Sequence, residues 1–456
     1  MSAGAGESRT ERFEPGSLRG ELRPPPDKSI SHRAALLAAM ADGRANVSGY
    51  LDSADTRSTL GAVEALGAAV SERPSEHDGA IDLEIDGVGL RGARGGEGAE
   101  PLRIDVGNAG TLLRLLPGWL AGQPSGVWSL SGDESIARRP VDRVAGPLEL
   151  MGADLDARDG RLPPLEIRGS GLGGIRFELP VASAQVKSCV LLAGLLADAP
   201  TTVIEPMPTR DHTERMLRGA GARVAARALG TGIAARGRLP GHEISIEPTD
   251  GLSLGSLQVP GDLSSAAFAL CGALVTARSD VTITAVGLNP TRVGLLGILN
   301  RMGAIVEVVE VVAGPEPIGR IRVRSSALRG ARIGAAEVAL AIDELPLVAL
   351  LGCFAEGRTV VSGAEELRHK ESDRIETVVA AIGALGGRIE ARPDGFRVEG
   401  TNGLDGGRME AAGDHRLAML GAVAGLASRD GVEVVGMEAC EVSYPGFERD
   451  LASIAT

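Results

Sequence analysis

Residues 24 to 41 read PPPDKSISHRAALLAAMA and place Lys28, His32 and Arg33 at the opening of an Ala/Leu run. The prolines end whatever precedes them, and the run reads as a buried helix with Ser29 or Ser31 as its cap. A helix N-terminus is already positive, because its first N–H groups lack partners and the backbone dipole points there; it favours negative neighbours by about 0.3–1 kcal/mol. Cations crowded at that end require an anion that the chain does not supply, a phosphate or a carboxylate. Lysine usage points the same way. Of 47 basic residues only Lys28, Lys187 and Lys370 are lysine. Under so strong a preference for arginine, a retained lysine suggests a position that needs a compact, flexible ammonium.

Composition limits what such a site can belong to. The 456 residues suffice for two or three domains, and a hydrophobic content of 43% supports a large core. Aromatics are only 2%, so Ala, Leu, Val and Ile must fill that core. The net charge of −13 argues against nucleic acid or an anionic membrane as partner, so anion recognition must be local. Cys189, Cys271, Cys353 and Cys440 have no metal-ligand spacing and suggest no disulfide framework. No metal is expected. The opening MSAGAGESRTERFEP has no apolar core for a signal peptide, and no run approaches a membrane span. A cytoplasmic protein with a loose N-terminal tail of roughly a dozen residues is expected.

The elements that must position these cations repeat. VGNAGTLLRLLPGWLAGQPSGVWSL from Val106, VASAQVKSCVLLAGLLADAPTTVI from Val181 and VPGDLSSAAFALCGALVTARSDVTI from Val259 resemble the opening stretch. So do AIDELPLVALLGCFAEGRTVVSG from Ala341 and AAGDHRLAMLGAVAGLASRDGVEVV from Ala411. Each has a polar turn, an apolar helix, a Gly- or Asp-containing loop and a β-branched strand. The anchors Lys28, Asn108, Ser183, Asp262, Asp343 and Asp414 lie 80, 75, 79, 81 and 71 residues apart. Between them runs a second, amphipathic helix with a Gly-containing stop, as in TRSTLGAVEALGAAV and SDRIETVVAAIGALGGRI. The sixth copy shrinks to YPGFERDLASI. Six α/β units with a truncated end imply two domains of three units, with sheets enclosing apolar helices. If the six N-termini share one cleft, Lys28, Arg33, Arg114, Lys187 and Arg416 follow the helix starts because anions sit there.

GNAGTLLR (107–114) and RHKESDR (368–374) resemble the two defining motifs of the 5-enolpyruvylshikimate-3-phosphate synthase family. DKSISHR, ARRPVDRV, SAQVKS, TRDHTERML, PGDLSSAAF, IDELP and GDHRLAM fall around them in the family's order. The resemblance runs from about residue 14 onward. It implies the α/β two-domain enolpyruvyl transferase fold, an inside-out barrel with three βαβαββ units per domain and buried helices. Residues 1–27 with 256–456 would form one domain and 28–255 the other, with the active site in the cleft between them. The implied reaction transfers the enolpyruvyl group of phosphoenolpyruvate to the 5-hydroxyl of shikimate 3-phosphate and releases phosphate. That step belongs to the shikimate pathway to chorismate and aromatic amino acids. It needs no cofactor and no metal, only small-molecule substrates, and a monomer is expected.

Such a reaction needs a base for the hydroxyl, an acid for C3 of phosphoenolpyruvate, and a cage of cations for one carboxylate and two phosphates. By resemblance Asp343 is the base. Alone it reads as a helix cap before a Pro in the first turn, with Glu344 as a second candidate. Glu371 resembles the carboxyl group that protonates C3; between Lys370, Arg374 and bound anions its protonation state is not legible. Lys28 resembles the lysine that touches both substrates. Ser29, Arg33, Ser183, Gln185, Arg210, Asp343 and Lys370 would hold shikimate 3-phosphate. Asn108, Gly110, Arg139, Gln185, Arg374 and Arg416 would hold phosphoenolpyruvate, arginine forks matching its carboxylate and phosphate. Arg138 reads as a surface neighbour, and Asp414 and His415 as residues that fix Arg416 and the helix start. Gly110 stands where some glyphosate-tolerant members carry alanine, which implies a glyphosate-sensitive pocket.

Three positions depart from common family patterns: Ala184 replaces a serine, Glu366 an asparagine, and Val442 a lysine for phosphoenolpyruvate. The sister family, UDP-N-acetylglucosamine enolpyruvyl transferases, typically has Asn after the first lysine and a cysteine before its Arg-Pro; here Ser29 follows Lys28 and SGDESIARRP has no cysteine. RNA 3′-phosphate cyclases share part of the architecture but need a nucleotide-accepting histidine, and the acidic balance is wrong for them. A non-catalytic anion-binding protein of the same fold would be marked by loss of Asp343 or Glu371, and both are present.

Overall fold

Six apolar runs form the helices Lys28–Met40, Gly110–Leu120, Ala184–Gly194, Leu263–Val275, Leu345–Phe354 and His415–Ala427 in the computed structural model, which describes residues 8–96, 100–229 and 240–456. They are named below by their first residue. Their faces are apolar all round, so they lie inside: Ile30–Met40 and Leu263–Leu274 are buried without interruption. The second helix of each unit is amphipathic or shorter: Ala54–Ala65, Asp142–Leu150, His212–Gly219, Gly294–Arg301, Arg374–Ala384 and the reduced Phe447–Ile454.

The chain divides into two units, Met1–Pro25 with Gly261–Thr456 and Pro26–Pro260. The domain limits expected at 27/28 and 255/256 thus shift. Residues 256–260 go with the second unit because Ser256–Gln258 pairs in parallel with the strand Arg44–Leu51 there. Within each unit the described residues form three small sheets. A complete sheet has one parallel edge pair followed by two antiparallel pairs, as in Leu102–Asp105, Val127–Ser131, Leu162–Arg168 and Asp154–Arg158. Its strands alternate buried and exposed side chains, one face against the inner helices and one toward water.

The loose tail expected at the N-terminus does not extend to residue 13. Residues 1–7 lie outside the described residues, but Thr10–Phe13 is a strand, antiparallel to Val432–Val435. The sixth unit has no hairpin of its own, so Val432–Val435 would be an open sheet edge, and the N-terminus covers it. Ala69–Pro74 pairs antiparallel with Ala80–Asp86, and residues 97–99 lie outside the described residues.

In the Pro26–Pro260 unit the Gly110 helix packs on the Lys28 and Ala184 helices; in the other unit the Leu263, Leu345 and His415 helices pack pairwise. Gly118 sets one of these spacings. A Cβ there would lie 2.2 Å from the Cys189 carbonyl oxygen of the Ala184 helix. Gly118→Ala must therefore push two backbones apart, and we expect it to lower stability by about 1–3 kcal/mol, read as a fall in Tm. An unchanged Tm would mean that the two helices are not in backbone contact.

Candidate functional site

The cap of the Lys28 helix is neither Ser29 nor Ser31. Asp27 fills that role, its carboxylate accepting from Ile30 N at 2.9 Å, while Ser31 Oγ accepts from Leu51 N. A charged cap answers the first-turn donors more strongly than a hydroxyl, which leaves Lys28 and Ser29 to point elsewhere. Lys28 Nζ lies 2.9 Å from Asp55 Oδ2 with about a third of its side chain exposed. Arg33 is buried, donating from Nε to Thr213 Oγ1 (2.8 Å), from Nη1 to the Ser29 carbonyl (2.9 Å) and from Nη2 to Ser188 Oγ (3.1 Å).

A second group in the same unit gathers at the Gly110 and Ala184 helices. Gln185 accepts from Arg114 Nη1 (2.9 Å) and donates to Thr111 Oγ1 (3.2 Å). Arg139 Nη2 donates to Asn108 Oδ1 and Ser135 Oγ, both at 3.2 Å, and Asn108 donates to Asp133. A Cβ on Gly110 would come within 2.5 Å of Arg139 Nη1, so glycine leaves room for that guanidinium. Ser183 caps the Ala184 helix, and Arg210 lies in the turn before His212–Gly219. Arg138 points outward, 81% exposed beside Glu134.

The Gly261–Thr456 unit assembles the carboxylates. Asp343 caps no helix, since the residue preceding the Leu345 helix is Glu344. Its carboxylate faces Arg374 at 3.4 Å, Arg416 at 3.7 Å and Lys370 at 3.8 Å. Glu344 is buried and accepts from Ser264 Oγ, beside Arg292, which removes it as an alternative base. Arg374, 1% exposed, also meets Glu371 at 2.6 Å and Asp414 at 2.8 Å. Arg416 donates to the Asp343 carbonyl, and its Nε is buried with no hydrogen-bond partner among the described residues.

Charge follows from this packing. Burial alone would raise the Glu371 carboxyl, but the Arg374 charge outweighs it and holds the group below its ordinary value. Asp414 behaves likewise: burial raises it, and Arg374 with its hydrogen bonds brings it down. Burial and then the Arg416 charge push the His415 imidazole down to about 4, so it is neutral in ordinary buffers. Asp414 does more than fix Arg416 and the helix start. One oxygen accepts from Arg416 N, and the other takes both Arg374 Nε and Ser372 Oγ.

Lys187 overturns one expectation. It does not wait for an external anion at its helix start but is fully buried between Glu205 (2.9 Å) and Glu214 (2.7 Å). Val442 is half exposed and Glu366 exposed, and neither brings a cation. Asp55, Thr213, Ser188, Thr111 and the Lys187 carboxylates escaped the sequence reading. Each pairs with a residue in another element, and nothing in its local pattern announces that partner. No cluster of three His, Cys, Asp or Glu arranged to hold a metal occurs among the described residues, and none of their helices is long and apolar enough to cross a membrane.

Residues 13–451 match the family described as EPSP synthase (3-phosphoshikimate 1-carboxyvinyltransferase). A 3-phosphoshikimate 1-carboxyvinyltransferase of Alkalilimnicola ehrlichii is 46% identical over 95% of this chain and 92% of its own. One of Halorhodospira halophila is 47% identical over 95% and 93%. Among solved structures, EPSP synthase from Acinetobacter baumannii superposes with a TM-score of 0.86 at 38% identity, covering 98% of each chain. The enolpyruvyl transferase NikO from Streptomyces tendae shares the fold, with a TM-score of 0.75 at 20% identity over 99% of this chain and 98% of that one.

Proposed function

Because the chain belongs to the EPSP synthase family, we propose that it is a 3-phosphoshikimate 1-carboxyvinyltransferase acting on small-molecule substrates. The observation that carries the reading is the Asp343 carboxylate, released from capping and ringed at 3.4–3.8 Å by Arg374, Arg416 and Lys370. A carboxylate there can take a proton while the surrounding cations hold anionic substrates.

Asp343 removes the proton of the 5-hydroxyl as its oxygen bonds to C2 of phosphoenolpyruvate, and C3 receives a proton from Glu371. The tetrahedral adduct then loses phosphate as the C2–O bond to phosphate breaks, and Asp343 gives its proton back to the departing group. C3 returns its proton to Glu371, the C2=C3 double bond re-forms, and the product is an enol ether. Lys28 contacts both substrates. Ser29, Arg33, Ser183, Gln185, Arg210 and Lys370 bind shikimate 3-phosphate, and Asn108, Gly110, Gln185, Arg139, Arg374 and Arg416 bind phosphoenolpyruvate. The depressed Glu371 carboxyl means that the ligand-free group is ionised. A phosphoenolpyruvate carboxylate that takes over Arg374 Nη2 removes the counter-charge nearest Glu371, and burial then raises the group toward the protonated form that donation needs. The buried, unpartnered Arg416 Nε supplies a further donor. The reading carries with it a monomer in the cytoplasm and, from Gly110, sensitivity to glyphosate.

Phosphate release with phosphoenolpyruvate plus shikimate 3-phosphate tests it, with UDP-N-acetylglucosamine as a parallel acceptor and glyphosate as a parallel addition. Release that requires both shikimate 3-phosphate and phosphoenolpyruvate, and is inhibited by glyphosate in competition with phosphoenolpyruvate, is expected. Release only with the nucleotide sugar would transfer the protein to the sister activity. Binding of shikimate 3-phosphate without release under any condition would make it a binding protein.

A further inference from the structure

Lys187 lies on the inner Ala184 helix with its ammonium between two carboxylates, its side chain 1% exposed and those of Glu205 and Glu214 3% each. Two carboxylates and one ammonium leave an excess negative charge in the interior. A well-packed apolar group of similar volume is often at least as stable as such a cluster. Glu214 Oε2 has no hydrogen-bond partner among the described residues, so the cluster is not even fully satisfied. Its contribution to stability therefore does not explain it.

What the carboxylates hold next does. Glu205 Oε2, which accepts from Lys187, also accepts from Thr209 N (3.1 Å) and Thr209 Oγ1 (2.7 Å), while its other oxygen faces His242 Nδ1 at 3.5 Å. That fixes the turn immediately before Arg210. Glu214 sits in the first turn of His212–Gly219 beside Thr213. Thr213 Oγ1 receives Arg33 Nε and bonds Ser188 Oγ at 2.7 Å, and Ser188 follows Lys187 on the same helix. Both arms from Lys187 thus end at an arginine that the function proposed above assigns to shikimate 3-phosphate.

We propose that Lys187 is a positioning residue for the acceptor's phosphate group: through Glu205 it fixes the Thr209–Arg210 turn, and through Glu214 it anchors the helix whose Thr213 holds Arg33. Charge-assisted contacts to phosphate gain most when the guanidinium is already in place, because ordering a turn on binding costs affinity. The role also accounts for a lysine in an arginine-rich chain. A compact ammonium on a flexible stem reaches both carboxylates in a sealed interior without the bulk of a guanidinium.

The inference rests on the proposed function, and calorimetric titration of the full chain without phosphoenolpyruvate separates the two. The probes are shikimate 3-phosphate and shikimate, and the proteins are wild type, Lys187→Met and Thr209→Val. Methionine keeps the length of lysine without its charge, and valine removes one Glu205 contact while leaving the buried charges intact. The affinity of Lys187→Met for shikimate 3-phosphate should fall about 10- to 100-fold and that of Thr209→Val about tenfold, with shikimate affinity unchanged. Equal loss for both ligands would overturn the proposal, because it would reflect general structural damage. So would wild-type affinity for shikimate 3-phosphate in Thr209→Val, which decides the matter even if Lys187→Met fails to fold. A wild-type protein that binds neither ligand would instead remove the functional reading on which the proposal stands.

Discussion

Asp343→Asn lowers kcat for phosphate release by about 10²- to 10⁴-fold, the usual worth of a positioned general base. The change keeps the shape of the side chain and its ability to accept a hydrogen bond, so the Leu345 helix, which Asp343 does not cap, should stay in place. What disappears is the negative charge facing Arg374, Arg416 and Lys370. Anionic substrates then meet a more positive site, and KM for phosphoenolpyruvate should hold or fall while kcat collapses. That split distinguishes loss of a base from loss of a binding contact, which would raise KM with kcat preserved. Steady-state kinetics with both substrates varied gives the answer. A kcat close to wild type would remove Asp343 from the chemistry.

Arg374→Met should act on stability first. The guanidinium is 1% exposed and holds Asp414, whose side chain is fully buried, together with Glu371 and Asp343. Removing the cation strands a buried carboxylate, a change that costs about 3–5 kcal/mol where such pairs have been broken. The pH dependence gives the cause. With Arg374 present, the Asp414 carboxyl lies below its ordinary value, so its contribution to stability is complete above the unfolded pKa and is lost as pH falls through the folded one. Without Arg374 burial dominates and the folded pKa rises above the unfolded value. The variant then gains from protonation, and its deficit against wild type should shrink steadily as pH falls from about 7 toward 4. Glu371 loses the same counter-charge and shifts the same way, so the pH dependence of the deficit reports both carboxylates, while His415 and Arg416 face Asp414 in both proteins. A deficit that does not change with pH would mean that Arg374 contributes through packing alone.

Much of the scaffold was legible because its rules are local. Six apolar runs with polar turns before them identify the inner helices, since burial on all sides requires an apolar face all round. The truncated sixth unit was visible as YPGFERDLASI. That Thr10–Phe13 would complete its sheet was not, because the partner strand lies more than 400 residues away and only the open edge calls for it. Capping divided the same way. The sequence pointed to Ser29 or Ser31 at one helix start, and the folded backbone places Asp27 there instead.

At the site, residue type and order determined which side chains can do chemistry: an arginine-rich protein with three retained lysines, and carboxylates set among cations near the starts of buried helices. Tertiary packing decided what each one meets. Lys28 and Lys187 both follow helix starts, yet one is a partly exposed ammonium beside Asp55, and the other is sealed between Glu205 and Glu214. Asp343 and Glu344 are adjacent, yet one faces three cations and the other is buried against Ser264. The difference is physical. Helix formation depends on neighbours within about one turn, whereas the charge state and freedom of a side chain depend on burial and on partners brought in from distant elements.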